Sequence, residues 1–250
     1  MADAIFEDPR LAAVYDPLDP DRSDLDVYLA IVDELGARSV LDIGCGTGTF
    51  ALLLADRGIR VVGVDPARAS VEVARGKSGA ERVEWHVGTA DALPAMAVDV
   101  ATMTANVAQV FLDDRDWHDV LVAARERLQP GGTLVLEARR PERRAWLDWT
   151  PERTRQLVDV PHEGPVEDWV EVAAVDEAAP GGPLVTFVSP TVFHRDGHRI
   201  DSTSTLRFRP REAIERSLAD AGLELVDVRD APDRPGREWV YLARRPLPPR

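Results

Sequence analysis

The chain has 250 residues, 44% hydrophobic and 30% charged, which suits one sizeable α/β domain and excludes a disordered chain. Its formal net charge of −14 argues against a nucleic-acid partner, whose phosphates need clustered Lys and Arg. Cys45 is the only cysteine, the N-terminus does not read as a signal peptide, and no apolar stretch is long enough to span a membrane, so a cytoplasmic setting without disulfides or membrane contact is expected.

Residues 1–20 contain Asp8-Pro9, Asp16-Pro17 and Asp19-Pro20. Proline biases its predecessor away from helix, so short helical turns are expected, with Leu11, Val14 and Tyr15 on one small face. Ser23 reads as the N-cap of a helix through Leu35, stopped by Gly36. Residues 1–36 together form an N-terminal helical cap.

Residues 40–65 read strand, glycine turn, helix, strand, acid. The turn is Gly44-Cys45-Gly46-Thr47-Gly48, Leu52, Leu53 and Leu54 lie in the helix, and the second strand ends on Asp65. This is half of a nucleotide-binding βαβ unit. The dinucleotide pattern G-x-G-x-x-G would need a glycine where Thr49 stands, so the turn suits a ligand without a pyrophosphate.

Pro66 stands where the next helix begins, and Val71 and Ala74 supply its apolar side. Residues 83–88 and 99–104 read as strands three and four, with His86 packed inside the third. A helix from Asp113-Asp114 to Leu128 is ended by Pro130-Gly131-Gly132, and residues 133–139 form strand five. The alternation predicts a parallel sheet covered by helices on both faces.

Residues 140–209 break this pattern and hold Trp146, Trp149 and Trp169, half of the six tryptophans. Residues 166–175 alternate as a strand, and Asp196-Gly197 signals a hairpin between 184–195 and 198–209. A two-residue turn would set Phe193 opposite Ile200, Phe187 opposite Leu206 and Val185 opposite Phe208, with Ser189, Thr191, Ser202 and Ser204 in the middle of the same face. Pro190 suggests an edge strand or a bulge. The region is expected to be a small antiparallel β insertion after strand five, acting as a lid over the substrate or as a dimer surface. A helix over 210–221 and strands at 223–230 and 237–245 close the chain, and Pro246, Pro248 and Pro249 keep the tail irregular. The core is therefore 37–139 plus 210–250.

VLDIGCGTG, then Asp65, Ala90-Asp91-Ala92 and Pro130-Gly131-Gly132, resembles the motifs of class I S-adenosylmethionine-dependent methyltransferases, over roughly residues 35–139 and 210–245. The resemblance implies a Rossmann-like, doubly wound seven-stranded sheet, mostly parallel with its last strand antiparallel. It implies S-adenosyl-L-methionine as cofactor, held by Asp42 and the turn residues Gly44, Cys45, Gly46 and Gly48. Asp65 would accept the ribose hydroxyls and Pro66 would pack on the adenine. Ala90, Asp91 and Ala92 would line the adenine edge, and Tyr15 would close over the cofactor.

Loops at the carboxyl ends of the strands supply the catalytic candidates. Asn106 and Gln109 follow strand four without the Pro-Pro-aromatic run of methyltransferases that act on DNA bases or glutamine, so a small-molecule acceptor is expected. Asn106 would touch the cofactor's methionine end or the acceptor. Glu137 and Arg139 end strand five, where one meets substrate or the two form a structural pair. His162 and His194, in the insertion, are the candidate bases. The histidines show no metal-ligand spacing, so no metal is expected. The expected activity is methyl transfer to O, N or C of a small acceptor by in-line displacement. The alternatives are a non-catalytic cofactor-binding or regulatory protein and an NAD-dependent reductase, the latter disfavoured by Thr49 and the lack of a Tyr-x-x-x-Lys pair.

Overall fold

The computed structural model describes residues 2–248; Pro249, counted above in the irregular tail, lies outside them. Numbered in chain order, the first elements are α1 (Ala4–Glu7), α2 (Pro9–Leu18) and α3 (Asp26–Glu34). Then come β1 (Ser39–Ile43), α4 (Thr49–Asp56), β2 (Arg60–Asp65), α5 (Arg68–Gly76), β3 (Val83–Val87), β4 (Val98–Met103), α6 (Asp114–Arg127) and β5 (Leu128–Arg139). The middle of the chain holds α7 (Pro151–Thr154), β6 (Gln156–Val160), β7 (Gly164–Asp168), β8 (Glu171–Asp176), β9 (Leu184–Phe193) and β10 (His198–Arg207). The chain returns through α8 (Arg211–Asp220), β11 (Glu224–Asp230) and β12 (Glu238–Arg244).

The first sheet has seven strands in the order β11-β12-β5-β4-β1-β2-β3. Strands β1 to β5 pair in parallel, and β12 runs antiparallel to both β5 and β11. All five residues of β1 are buried, as expected of a central strand whose sequence is a continuous apolar run around Asp42. One face packs Leu41, Met103, Leu134 and Tyr241 on α6 and α8, through Trp117, Leu121, Ile214 and Leu218. The other packs Val40, Val61, Val100 and Val240 on α3 and α4, through Tyr28, Leu29, Phe50 and Leu54. The doubly wound, seven-stranded architecture is thus the one expected.

The second sheet has five strands, β10-β9-β7-β6 with β8 also on β9. Residues 166–175 are two strands and not one, because the chain turns a corner at Trp169, whose N–H donates to the Pro190 carbonyl. Strand β6 lacks a clear alternating pattern and escaped the sequence reading. Pro190 sits on a central strand, opposite the break between β7 and β8, so its missing N–H faces no ladder partner.

The β9–β10 hairpin exists, but its register is shifted by two residues. Phe193 faces His198, Thr191 faces Ile200 and Val185 faces Leu206. The connection is a four-residue loop, closed by Gly197 N–H to the Phe193 carbonyl and by His198 N–H to Asp196 Oδ1. A shift of two preserves the side-chain faces, so the hydroxyl-bearing positions still share one side.

Three smaller expectations change. Ser23 begins a short 3₁₀ turn, and α3 starts at Asp26 with no side-chain cap. Strand β5 begins at Leu128, and Pro130-Gly131-Gly132 lies within it, held by Gly131 N–H to Arg245 O and Arg245 N–H to Gly132 O. His86 lies on the edge strand β3, half-exposed and 2.6 Å from Glu84, so it is not packed.

Candidate active site

The glycine turn joins β1 to α4 with Gly44, Gly46 and Gly48 all left-handed, at φ +73°, +52° and +79°. Each glycine has its own reason. A Cβ on Gly48 would lie 2.4 Å from the Trp85 ring and 2.8 Å from Ala74, so this residue lets α4 close on β3 and α5. A Cβ on Gly44 would strike Val107 at 2.5 Å, which brings the loop after β4 against the turn. A Cβ on Gly46 would meet nothing within 4 Å. The turn is therefore closed on two sides and open at its middle, a cradle with room for a ligand.

Asp65, at the end of β2, latches this turn. Its Oδ2 accepts Gly46 N–H at 2.9 Å and its Oδ1 accepts Ala67 N–H at 2.7 Å. Burial raises its pKa, and the two N–H groups oppose that rise. Pro66 is exposed, in the bend two residues before α5 rather than at its first position. Asp42 lies beneath the turn, fully buried, with Thr102 donating to it at 2.9 Å, and burial pushes its pKa up to about 7. Cys45 is also buried, which holds its thiol well above the normal range and leaves it unreactive. Ala90 is buried and Asp91 and Ala92 are exposed on a short turn after β3, with the Asp91 carbonyl bound by Arg127.

The N-terminal helices reach over this end of the sheet. The Asp16 carboxylate accepts the Thr47 hydroxyl at 2.7 Å and pairs with Lys77 at 2.6 Å. Tyr15 stacks on Phe6 at 5.7 Å, and its pKa is raised, chiefly by burial. Its hydroxyl lies within electrostatic reach of Arg22 and Arg139.

After β4, Ala105 and Asn106 are consecutive left-handed residues, at φ +53° and +63°, a strained arrangement for non-glycine residues. Asn106 N–H donates to Glu137 Oε1 at 2.8 Å, while the Tyr28 hydroxyl lies against Oε2. Asn106 Oδ1 is buried and, among the described residues, has no partner. Glu137 is buried near Glu238, and both effects hold its carboxyl well above the usual range.

Arg139 lies on the same face. Its Nη1 donates to Gln109 at 3.1 Å, its Nε is 3.5 Å from Glu238, and it sits 5.6 Å from the Trp149 ring. Its charged partner is thus Glu238, not Glu137, and Arg234 completes the group at 2.9 Å from Glu238. Tyr28, Arg234 and Glu238 were not singled out from sequence, because none belongs to a local motif.

The structure brings Asp42, the turn, Asp65, Tyr15, Asn106 and Arg139 to the carboxyl end of the first sheet. It does not bring His162 and His194 there. His162 is exposed in the left-handed turn between β6 and β7, and His194 is exposed beside Glu167 at 3.0 Å, on the hairpin loop. Two shallow hollows, of about 480 and 430 Å³, lie elsewhere, one beside Arg10 and His198 and the other beside Leu35 and Gly132. Neither touches the glycine turn, and the convergence of buried polar groups makes the rim the candidate site instead.

Residues 40–132 match the family model of a methyltransferase domain. The chain is 34% identical over 108 residues to the cypemycin N-terminal methyltransferase of a Streptomyces species, covering 43% of this chain and 44% of that protein. It is 35% identical over 111 residues to the ubiquinone biosynthesis O-methyltransferase of Leptothrix cholodnii, covering 42% and 46%. Each match spans less than half of the relative's length. The chain also shares its fold with an S-adenosylmethionine-dependent methyltransferase from Clostridium acetobutylicum, at TM-score 0.75 and 19% identity, over 95% of this chain and 98% of that one. At 95% coverage the likeness extends into the inserted sheet. Among the described residues no helix is long and apolar enough to cross a membrane.

Proposed function

We propose that this protein transfers a methyl group from S-adenosylmethionine to an oxygen, nitrogen or carbon atom of a small organic acceptor. The observation that carries this reading is the latch between Asp65 and Gly46, which holds an acid against the open middle of the glycine turn. A Cβ-free cradle beside a carboxylate fits a ligand with a ribose diol, and the buried, partnerless Asn106 Oδ1 offers an acceptor to an ammonium at the other end.

When bound, S-adenosylmethionine supplies a methyl group on a positively charged sulfonium, already activated toward attack. Asp65 accepts from the ribose, and Pro66 and the 90–92 turn flank the adenine. Gly44 and Asn106 hold the amino-acid end. Tyr15, on α2, covers the bound cofactor, and Arg139 and Gln109 shape the acceptor side of the rim. The chain thereby orients two reactants and excludes water, which is most of what a displacement at an activated methyl needs. No histidine is required at the rim, because a general base helps only a nucleophile that must lose a proton early.

Calorimetry with S-adenosylhomocysteine and with NADH tests the cofactor, and S-adenosylhomocysteine release across a panel of small metabolites tests turnover. Binding of NADH and not of S-adenosylhomocysteine would overturn the reading.

A further inference from the structure

One face of the second sheet carries two apolar clusters with a polar belt between them. At one end Val160, Val166 and Phe193 pack on Leu11 and Val14 of α2. At the other, Val185 and Phe208 pack on Trp146, with Trp149 beside them. Strand pairing puts Ser189, Thr191, Ser202, Ser204 and Asp168 on this same face. The four hydroxyl-bearing residues are each more than nine-tenths buried. Ser202 is occupied, since its Oγ accepts Ile5 N–H at 2.8 Å. Ser189, Thr191 and Ser204 carry the remaining hydroxyls of the belt.

The belt joins the rim at both ends. Phe187, two residues from Ser189, meets Trp149 at 4.9 Å, and Trp149 in turn lies over Arg139. On the other side Asp19, beyond the end of α2, is close enough to Asp168 for its charge to act on it. Asp168 is half-buried: Gln156 hydrogen-bonds its carboxylate, but its Oδ1 is buried without a partner, and neither Asp168 nor Asp19 has an ion-pair partner among the described residues. A half-buried carboxylate with one oxygen buried, unpartnered and without a cation beside it is costly.

We propose that this belt recognises the methyl acceptor, and that the acceptor is a hydroxyl-bearing amine whose ammonium is held by Asp168 and whose hydroxyls meet Ser189, Thr191 and Ser204. The inference rests on the methyltransferase reading and narrows its acceptor. An ammonium supplies the charge that Asp168 lacks, and hydroxyls match groups that both donate and accept. A neutral aromatic acceptor would leave Asp168 uncompensated, and an anionic one would be repelled by both acids. Burial and Asp19 raise the Asp168 pKa to about 6, so the group is mainly ionised at neutral pH and able to hold a cation.

The test is calorimetry of the full chain saturated with S-adenosylhomocysteine, using trans-2-aminocyclohexanol and trans-cyclohexane-1,2-diol as probes of equal size. The amine should bind about tenfold tighter than the diol, roughly the strength of one charge-assisted contact. Asp168→Asn should abolish that preference while keeping affinity for S-adenosylhomocysteine, which reports that the variant is folded; Asp168→Ser serves if it is not. Thr191→Val should weaken both probes alike. Equal binding of the two probes, binding of neither at millimolar concentration, or a preference that survives both Asp168 substitutions would overturn the proposal. Failure of S-adenosylhomocysteine itself to bind the unaltered protein would instead remove the underlying methyltransferase reading.

Discussion

The backbone N–H of Asn106 donates to Glu137 Oε1 at 2.8 Å, tying the loop after β4 to the carboxyl end of β5. The bond holds a left-handed residue in place and leaves the Asn106 side chain buried with a partnerless oxygen. Glu137 itself is stabilised in its neutral form by burial and by Glu238.

This makes stability depend on pH with a definite sign. In the unfolded chain Glu137 ionises in the ordinary carboxylate range; in the folded protein it holds its proton to higher pH. Between those limits the folded state binds more protons, so its stability is full below the unfolded pKa and falls as pH rises through the folded one. Asp42, raised to about 7, acts in the same direction. Urea midpoints should therefore drop between about pH 5 and about pH 8, and Glu137→Gln, which keeps an acceptor for Asn106, should drop less. Equal slopes for the two proteins would contradict the assignment.

Ala105 adopts φ +53° with a side chain that disfavours it. Ala105→Gly should raise stability by about 0.5–1 kcal/mol, the release of left-handed strain minus the added freedom of the unfolded chain. Chemical denaturation reads this directly. A loss of stability would mean that the loop is not strained.

Gly46 and Gly48 are two residues apart and should behave differently. Gly48→Ala drives a methyl into the Trp85 ring and should cost about 2–4 kcal/mol of stability, through overpacking and left-handed strain. Gly46→Ala has room for its methyl and should cost only about 1 kcal/mol of stability, from its backbone conformation. Its larger effect should be on S-adenosylhomocysteine affinity, because the methyl fills the cradle. Thermal melts and calorimetry on both variants separate the two roles.

Asp65→Ala should weaken S-adenosylhomocysteine binding by about 1.5–3 kcal/mol, from lost charge-assisted hydrogen bonds to the ribose. It also frees the N–H groups of Gly46 and Ala67. Asp65→Asn, which keeps one acceptor oxygen, should therefore lose less stability than the alanine variant. An unchanged dissociation constant in the alanine variant would remove the ribose assignment.

Much of the geometry of the glycine turn and its acid, the candidate cofactor half of the site, was legible in the chain itself. Three closely spaced glycines can take left-handed conformations that other residues resist, and an acid ending the next apolar run falls beside them through the parallel β1–β2 register. The acceptor half was less legible. The hydroxyl-bearing face of the β9–β10 hairpin could be read, since a two-residue register error preserves faces, but His162 and His194 drew attention by residue type alone. Both are exposed in loops of the second sheet, away from the rim.

The amino-acid sequence by itself determined the alternation of strands and helices, the glycine turn and the acid that latches it, because backbone conformation and hydrophobic period are local properties of a few neighbouring residues. Only the tertiary structure decided that Tyr28 meets Glu137 across 109 positions, that Arg139 pairs with Glu238 and that Asp168 Oδ1 is buried without a partner. Burial and partnership depend on which distant segments pack together, and a side chain's charge state follows from them.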